Sequence, residues 1–166
     1  MVSQIYLHCS DILEHPEFQK LKNQEHHYIS TVYDHSIRVA QTASKMCDFF
    51  RFKPEKARET IRAALLHDFY DFDRKERFLT RKQTYMPRLE RMKTCFLIVH
   101  PRSAAKHANE LFTLNKRQIK AIHSHMFPLA PIPTSTTGWI ITASDKYVAC
   151  KEGVEAFRKK NVFNWN

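Results

Sequence analysis

Between Val32 and Phe50 the apolar and small side chains recur at spacings of three or four: Val32, Ser36, Val39, Ala43, Met46 and Phe50. That interval follows the 3.6-residue turn, so residues 30–50 are predicted to form a helix with one buried stripe. Thr31 followed by Asp34 resembles a capping box, with Asp in place of the usual Glu. Pro54 suits the first turn of a second helix, whose apolar side runs through Ala57, Ile61, Ala64 and Leu65 toward His67. Residues 86–98 read as another helix, and Pro101 can open the next, through about Phe112. Asn115 is a plausible N-cap for a helix reaching His125. Three prolines and a Ser/Thr cluster make a loop of Pro128 to Thr137. Residues 137–158 read as a long final helix, and a short helix is expected around 10–22. Nothing alternates with period two for long enough to make a sheet. The chain has 2 glycines in 166 residues, too few for a hairpin-rich β fold or a glycine-rich phosphate loop. The prediction is an all-α bundle of about six to eight helices in a single domain spanning 1–166, with its core at about 28–158.

Hydrophobic residues make up 43% and charged residues 27%, a globular rather than a disordered composition. No apolar run approaches the roughly 18 residues of a membrane helix, and the N-terminus lacks the basic-then-apolar order of a signal peptide. The four cysteines (Cys9, Cys47, Cys95 and Cys150) are scattered without a CxxC pair, as expected for reduced thiols in a cytoplasmic protein. The formal charge is +10, and nine Lys and Arg lie between Arg74 and Arg102. Such a field concentrates anions such as nucleotides and phosphate esters. It would also hold nucleic acid through phosphate contacts, or simply form a solvated helix face.

Four positions carry the chemistry: His35 on the first long helix, the adjacent pair His67 and Asp68, and Asp145 on the last. Imidazole and carboxylate from separate helices, meeting at the rim of a core cleft, make a mixed N/O site suited to a hydrolytic metal. The segments are DHSIRVA at 34–40, AALLHDFYD at 63–71 and ASDKYVA at 143–149. In this order, H…HD…D, they resemble the HD-domain superfamily of metal-dependent phosphohydrolases, and the likeness covers roughly residues 30–150. The resemblance implies that His35, His67, Asp68 and Asp145 ligate a divalent ion in the cleft of an HD-type bundle. Members with two metals carry extra histidines before the last Asp, and HPRSAAKHA at 100–108 is similar to theirs. By that analogy Asp68 bridges two ions and His100 and His125 hold the second. Where some members have adjacent histidines, this chain has His123 and His125 two apart. These cannot share a helix face, and His125, at the helix end, is preferred.

The resemblance implies hydrolysis of a phosphomonoester or phosphodiester, foremost a nucleotide, by metal-activated water. The ion is one or two of Mn, Fe, Ni, Co, Zn or Mg. Asp68, Lys146 and Arg102 are the candidate catalytic residues, the two cations to bind substrate phosphate. Arg38 either does the same, pairs with Asp34, or lies along the helix surface. Asp71 and Asp73 either cap the helix end or support the site. His8, His15, His26, His27 and His107 read as surface residues; Met46, Phe49, Phe50, Phe52 and Phe69 read as core. Two other functions remain open: a di-iron oxygenase of the same fold, and a non-catalytic ligand-sensing or nucleic-acid-binding regulatory module.

Overall fold

The computed structural model describes residues 2–26, 30–70 and 96–163. Among these, helices α1 (Val2–Leu13), α2 (Pro16–Gln19), α3 (Val32–Phe49), α4 (Pro54–Leu65), α5 (Phe96–Phe112), α6 (Lys116–Ser124) and α7 (Thr136–Phe163) make an all-α bundle. A 3-10 turn at Lys20–Asn23 and a two-residue antiparallel pairing of Glu25–His26 with Ser30–Thr31 lead into α3. The remaining basic strip below Phe96, together with Asp71, Asp73, His27 and Cys95, lies outside the described residues.

Caps set the boundaries of the helices that matter. Thr31 accepts from the Asp34 N–H while the Asp34 carboxylate accepts from the Thr31 N–H, the reciprocal box read from the sequence. Asn115 and Gln118 make the same exchange at the start of α6. Each satisfies donors that the first turn leaves without partners, worth about 1 kcal/mol per cap. Pro54 occupies the first turn of α4.

Two expected boundaries moved. The N-terminal helix was placed around 10–22, but α1 ends at Leu13 and Pro16 opens a new helix, capped by the His15 ring accepting from the Glu17 N–H. Pro101 does not open a helix; α5, described from Phe96, runs through it, and the rest of the helix expected at 86–98 lies outside the described residues. A proline there removes one bond to the preceding turn, a cost of the order of 3 kcal/mol in an isolated helix. The packing of His100, Ala104, Ala105 and Ala108, all buried, opposes that cost.

α3 packs on α4 and α7, α7 on α6, and α6 on α5 and α4. The α3–α4–α7 seam is lined by small, fully buried side chains, Ala40, Ala43, Ala63 and Ala64, with Val39 and Ile141. Small residues let the helix axes approach closely, which brings residues on different helices within reach of one another. Phe69, buried as expected, packs near Phe18, Phe112 and the His107 ring, which stacks on it at 4.6 Å. Full burial of a Phe is worth roughly 1.5–3 kcal/mol, so Phe69 pins the turn that holds the residue before it, Asp68. Met46 and Phe52 are partly buried, but Phe49 and Phe50 are 80% and 54% exposed and were wrongly placed in the core. They sit where α3 ends and the chain turns through Arg51 at φ 51°, and their rings pack on each other instead.

Candidate metal centre

His67 and Asp68 do not lie on α4. The helix stops at Leu65, and a turn closed by the Phe69 N–H to the Leu66 carbonyl carries them beyond it. Freed from helical geometry, the Asp68 carboxylate points its two oxygens to different sides. Oδ2 lies 3.4 Å from His67 Nε2. Oδ1 lies 3.3 Å from His100 Nε2 and 3.4 Å from His125 Nε2. On the first side α3 and α7 contribute His35 Nε2, 3.2 Å from Asp145 Oδ1, which is itself 3.7 Å from His67 Nε2. On the second, His100 of α5 and His125 at the C-cap of α6 bring their Nε2 atoms to 3.1 Å. All six residues are buried.

Hydrogen bonds fix the proton on Nδ1 of three rings. His67 Nδ1 is 2.8 Å from the Ala64 carbonyl and His125 Nδ1 is 2.7 Å from the Ile122 carbonyl. A carbonyl oxygen only accepts, so each Nδ1 carries a proton, and in the neutral ring each Nε2 presents its lone pair to the cluster. His35 Nδ1 donates in the same way to Glu152 Oε2 at 2.9 Å. This pattern, Nδ1–H to a carbonyl or carboxylate and Nε2 inward, is how proteins orient histidines that bind metals. His67 Nε2 is buried with no hydrogen-bond partner, 3.4 Å from Asp68 Oδ2 and 3.7 Å from Asp145 Oδ1. A lone pair set against anionic oxygens in a buried site is unfavourable unless a cation lies between them. Donors each about 2.1 Å from one ion stand about 3.0–3.4 Å apart, and most separations here fall close to that range. Two overlapping groups, His35/His67/Asp145 and His67/Asp68/His125, bring their donor atoms within 4.8 Å of one another. The residues fit a divalent ion.

The charge balance agrees. Burial works to raise the Asp68 pKa, but the neighbouring His67 and His100 outweigh it and hold the carboxyl well below its usual range. Asp145 is held down likewise: burial is opposed successfully by His35 and His67. In the metal-free protein burial pulls the His35 pKa down, yet Asp145 and Glu152 prevail and lift it to about 9. His125, where burial dominates, is pushed down and kept neutral.

The other expected residues fall around this cluster. Lys146 Nζ donates to Asp145 Oδ2 at 2.8 Å and approaches Met126 Sδ at 3.4 Å. Arg102 Nε donates to His123 Nε2 at 2.8 Å in an exposed pair. His123 thus pairs with Arg102, whereas His125 joins the buried group. Arg38 takes neither the Asp34 partner nor a free surface position; its Nη1 donates to Glu152 Oε1 at 3.1 Å. Glu152, fully buried, escaped the sequence reading. The available signal was its place seven residues after Asp145, two turns along the same face.

The HD domain family matches residues 32–150, and the chain belongs to that family. Its members are in general metal-dependent hydrolases of phosphate esters, and the His/Asp clusters described above are ones that could hold a divalent ion. Neither a curated protein nor a solved structure matches the chain at a significant level. No helix among the described residues is long and apolar enough to cross a membrane.

Proposed function

We propose that this chain is a phosphohydrolase that binds one or two divalent ions and cleaves a phosphomonoester or phosphodiester, a nucleotide foremost. The observation that carries the reading is the buried His67 Nε2, which faces Asp68 and Asp145 without a hydrogen-bond partner. His35, His67, Asp68 and Asp145 would hold one ion; Asp68, His100 and His125 would hold the other. When bound, such ions activate water and withdraw charge from phosphoryl oxygens. Glu152, the Ala64 carbonyl and the Ile122 carbonyl keep three of the rings in the ligating tautomer. Lys146, partly exposed beside Asp145, would offer its charge to a substrate phosphate, and Arg102, exposed and bonded to His123, is the second candidate cation. The excess of 27 Lys and Arg over 17 Asp and Glu raises the local concentration of anionic substrates.

The test is to strip the protein with chelator and reload it with Mn, Fe, Ni, Co, Zn or Mg in turn. Bound metal and phosphate release from nucleotides and from a generic phosphodiester are then measured. Release that requires metal and disappears in Asp68→Ala is the expected result. Failure to retain any ion, or inertness toward every ester, overturns the reading. Oxygen consumption by the iron-loaded protein without phosphate release would instead select oxygenase chemistry. Salt-sensitive nucleic-acid retention surviving Asp68→Ala without turnover would select a binding module.

A further inference from the structure

α7 presents two carboxylates to one imidazole. Asp145 Oδ1 meets His35 Nε2 at 3.2 Å, and Glu152 Oε2 meets His35 Nδ1 at 2.9 Å. The second contact spans 117 positions of sequence between two helices. Glu152 is fully buried, and its other oxygen accepts from Arg38 Nη1 at 3.1 Å. Arg38 lies three residues after His35, so α3 offers an imidazole and a guanidinium one turn apart to the two oxygens of a single carboxylate. A buried carboxylate is costly to desolvate and persists only with charged or hydrogen-bonded partners on both oxygens. His67 and His125 use backbone carbonyls of their own segments to fix their rings, whereas His35 depends on a side chain from a distant helix.

From this geometry we propose that Glu152 is a positioning residue for the metal centre: it holds the proton on His35 Nδ1, fixes the ring plane, and turns Nε2 toward the cluster to ligate. Arg38 serves it in turn by balancing its charge and fixing its second oxygen. A carboxylate behind a ligating imidazole orients the ring and raises its basicity as a ligand, and removing it weakens metal binding by about 10–100-fold. The inference rests on the reading of His35 as a ligand.

The experiment measures zinc affinity by calorimetry on the full chain for the wild type, Glu152→Ala and Glu152→Gln. Glutamine keeps an oxygen that can accept from Nδ1–H. The expected result is an affinity about 10–100-fold weaker in the Ala variant and largely restored in the Gln variant. Equal zinc affinity in wild type and Glu152→Ala overturns the proposal, as does a Gln variant as weak as the Ala variant. A purely structural role would lower the melting temperature of the zinc-free protein while leaving affinity unchanged. Should Glu152→Ala fail to fold, the wild type still decides the matter through the nitrogen-15 spectrum of its histidines with zinc bound. There, His35 must carry its proton on Nδ1, and a proton on Nε2 overturns the assignment. Failure of the wild type to bind zinc or any other divalent ion would sink the metal reading itself. That outcome is separate from a wild type and an Ala variant that bind zinc equally.

Discussion

His100 Nε2 and His125 Nε2 stand 3.1 Å apart, although they belong to different helices. With the His125 proton held on Nδ1 by the Ile122 carbonyl, its Nε2 lone pair points at the neighbouring ring and at Asp68 Oδ1. Occupation of this corner by an ion should show as stability. At a hundredfold excess over the dissociation constant, binding adds about 2.7 kcal/mol, which raises the melting temperature of a domain this size by roughly 5–10 °C. Thermal denaturation of chelator-treated protein with added Mn, Co or Zn measures it. In a chain that loads two ions, His125→Ala should leave one, read by elemental analysis.

α1 is tied to α4 by a bidentate pair: Arg62 Nη1 and Nη2 donate to Asp11 Oδ1 and Oδ2 at 2.6 and 2.7 Å, and Nη1 also reaches the His8 carbonyl at 3.1 Å. The hydrogen bonds from Arg62 lower the Asp11 pKa against a smaller opposing effect of burial. A carboxyl depressed in the folded state contributes stability above its unfolded value, about 3.9, and loses it as pH falls through the lower folded value. Because Asp11 is more than half exposed, the contribution is discounted to about 0.5–1 kcal/mol. Asp11→Asn should therefore unfold at lower urea concentration than wild type near pH 6. The difference should close as the pH drops below about 4.

The three described cysteines should differ sharply toward alkylation. Burial raises the Cys9 thiol to about 12 and the Cys47 thiol to about 11, so neither offers thiolate or access in the folded protein. Cys150 is exposed. Peptide mapping after brief iodoacetamide treatment should find Cys150 modified and Cys9 and Cys47 protected until denaturant is added.

The two glycines of α7 make a paired test. A Cβ on Gly138 would lie 3.1 Å from Pro133 Cβ and 3.3 Å from Ser124 Oγ, whereas one on Gly153 meets nothing within 4 Å. Gly153→Ala should stabilise by about 0.5–1 kcal/mol through helix propensity. Gly138→Ala must push the proline loop or α6 aside and should gain less or lose stability. Chemical denaturation of both variants decides.

The parts legible in the sequence were those whose physics is local. Capping pairs three residues apart, Thr31 with Asp34 and Asn115 with Gln118, announce helix starts because the chemistry lies within one turn. The histidine and aspartate motifs stood out because polar residues on apolar helix faces are unusual and their order has a family precedent. Pro101 misled because a proline is a boundary only when packing does not outweigh its lost hydrogen bond. Glu152 was hidden because a glutamate among Lys151, Gly153 and Glu155 reads as solvated surface. Its burial depends on Arg38 and His35, more than a hundred positions away. Where Asp68 aims its two oxygens was equally invisible, since it follows from α4 ending two residues before His67.

Asp145 and Glu152 ride on one uninterrupted helix, which makes their grip on His35 a matter of register. Inserting or deleting a single residue between them would swing Glu152 about 100° around the helix axis and shift it about 1.5 Å along it. Asp145 would stay in place, while His35 would lose its second carboxylate. An HD chain with a different count between these acids must steady its first histidine by other means.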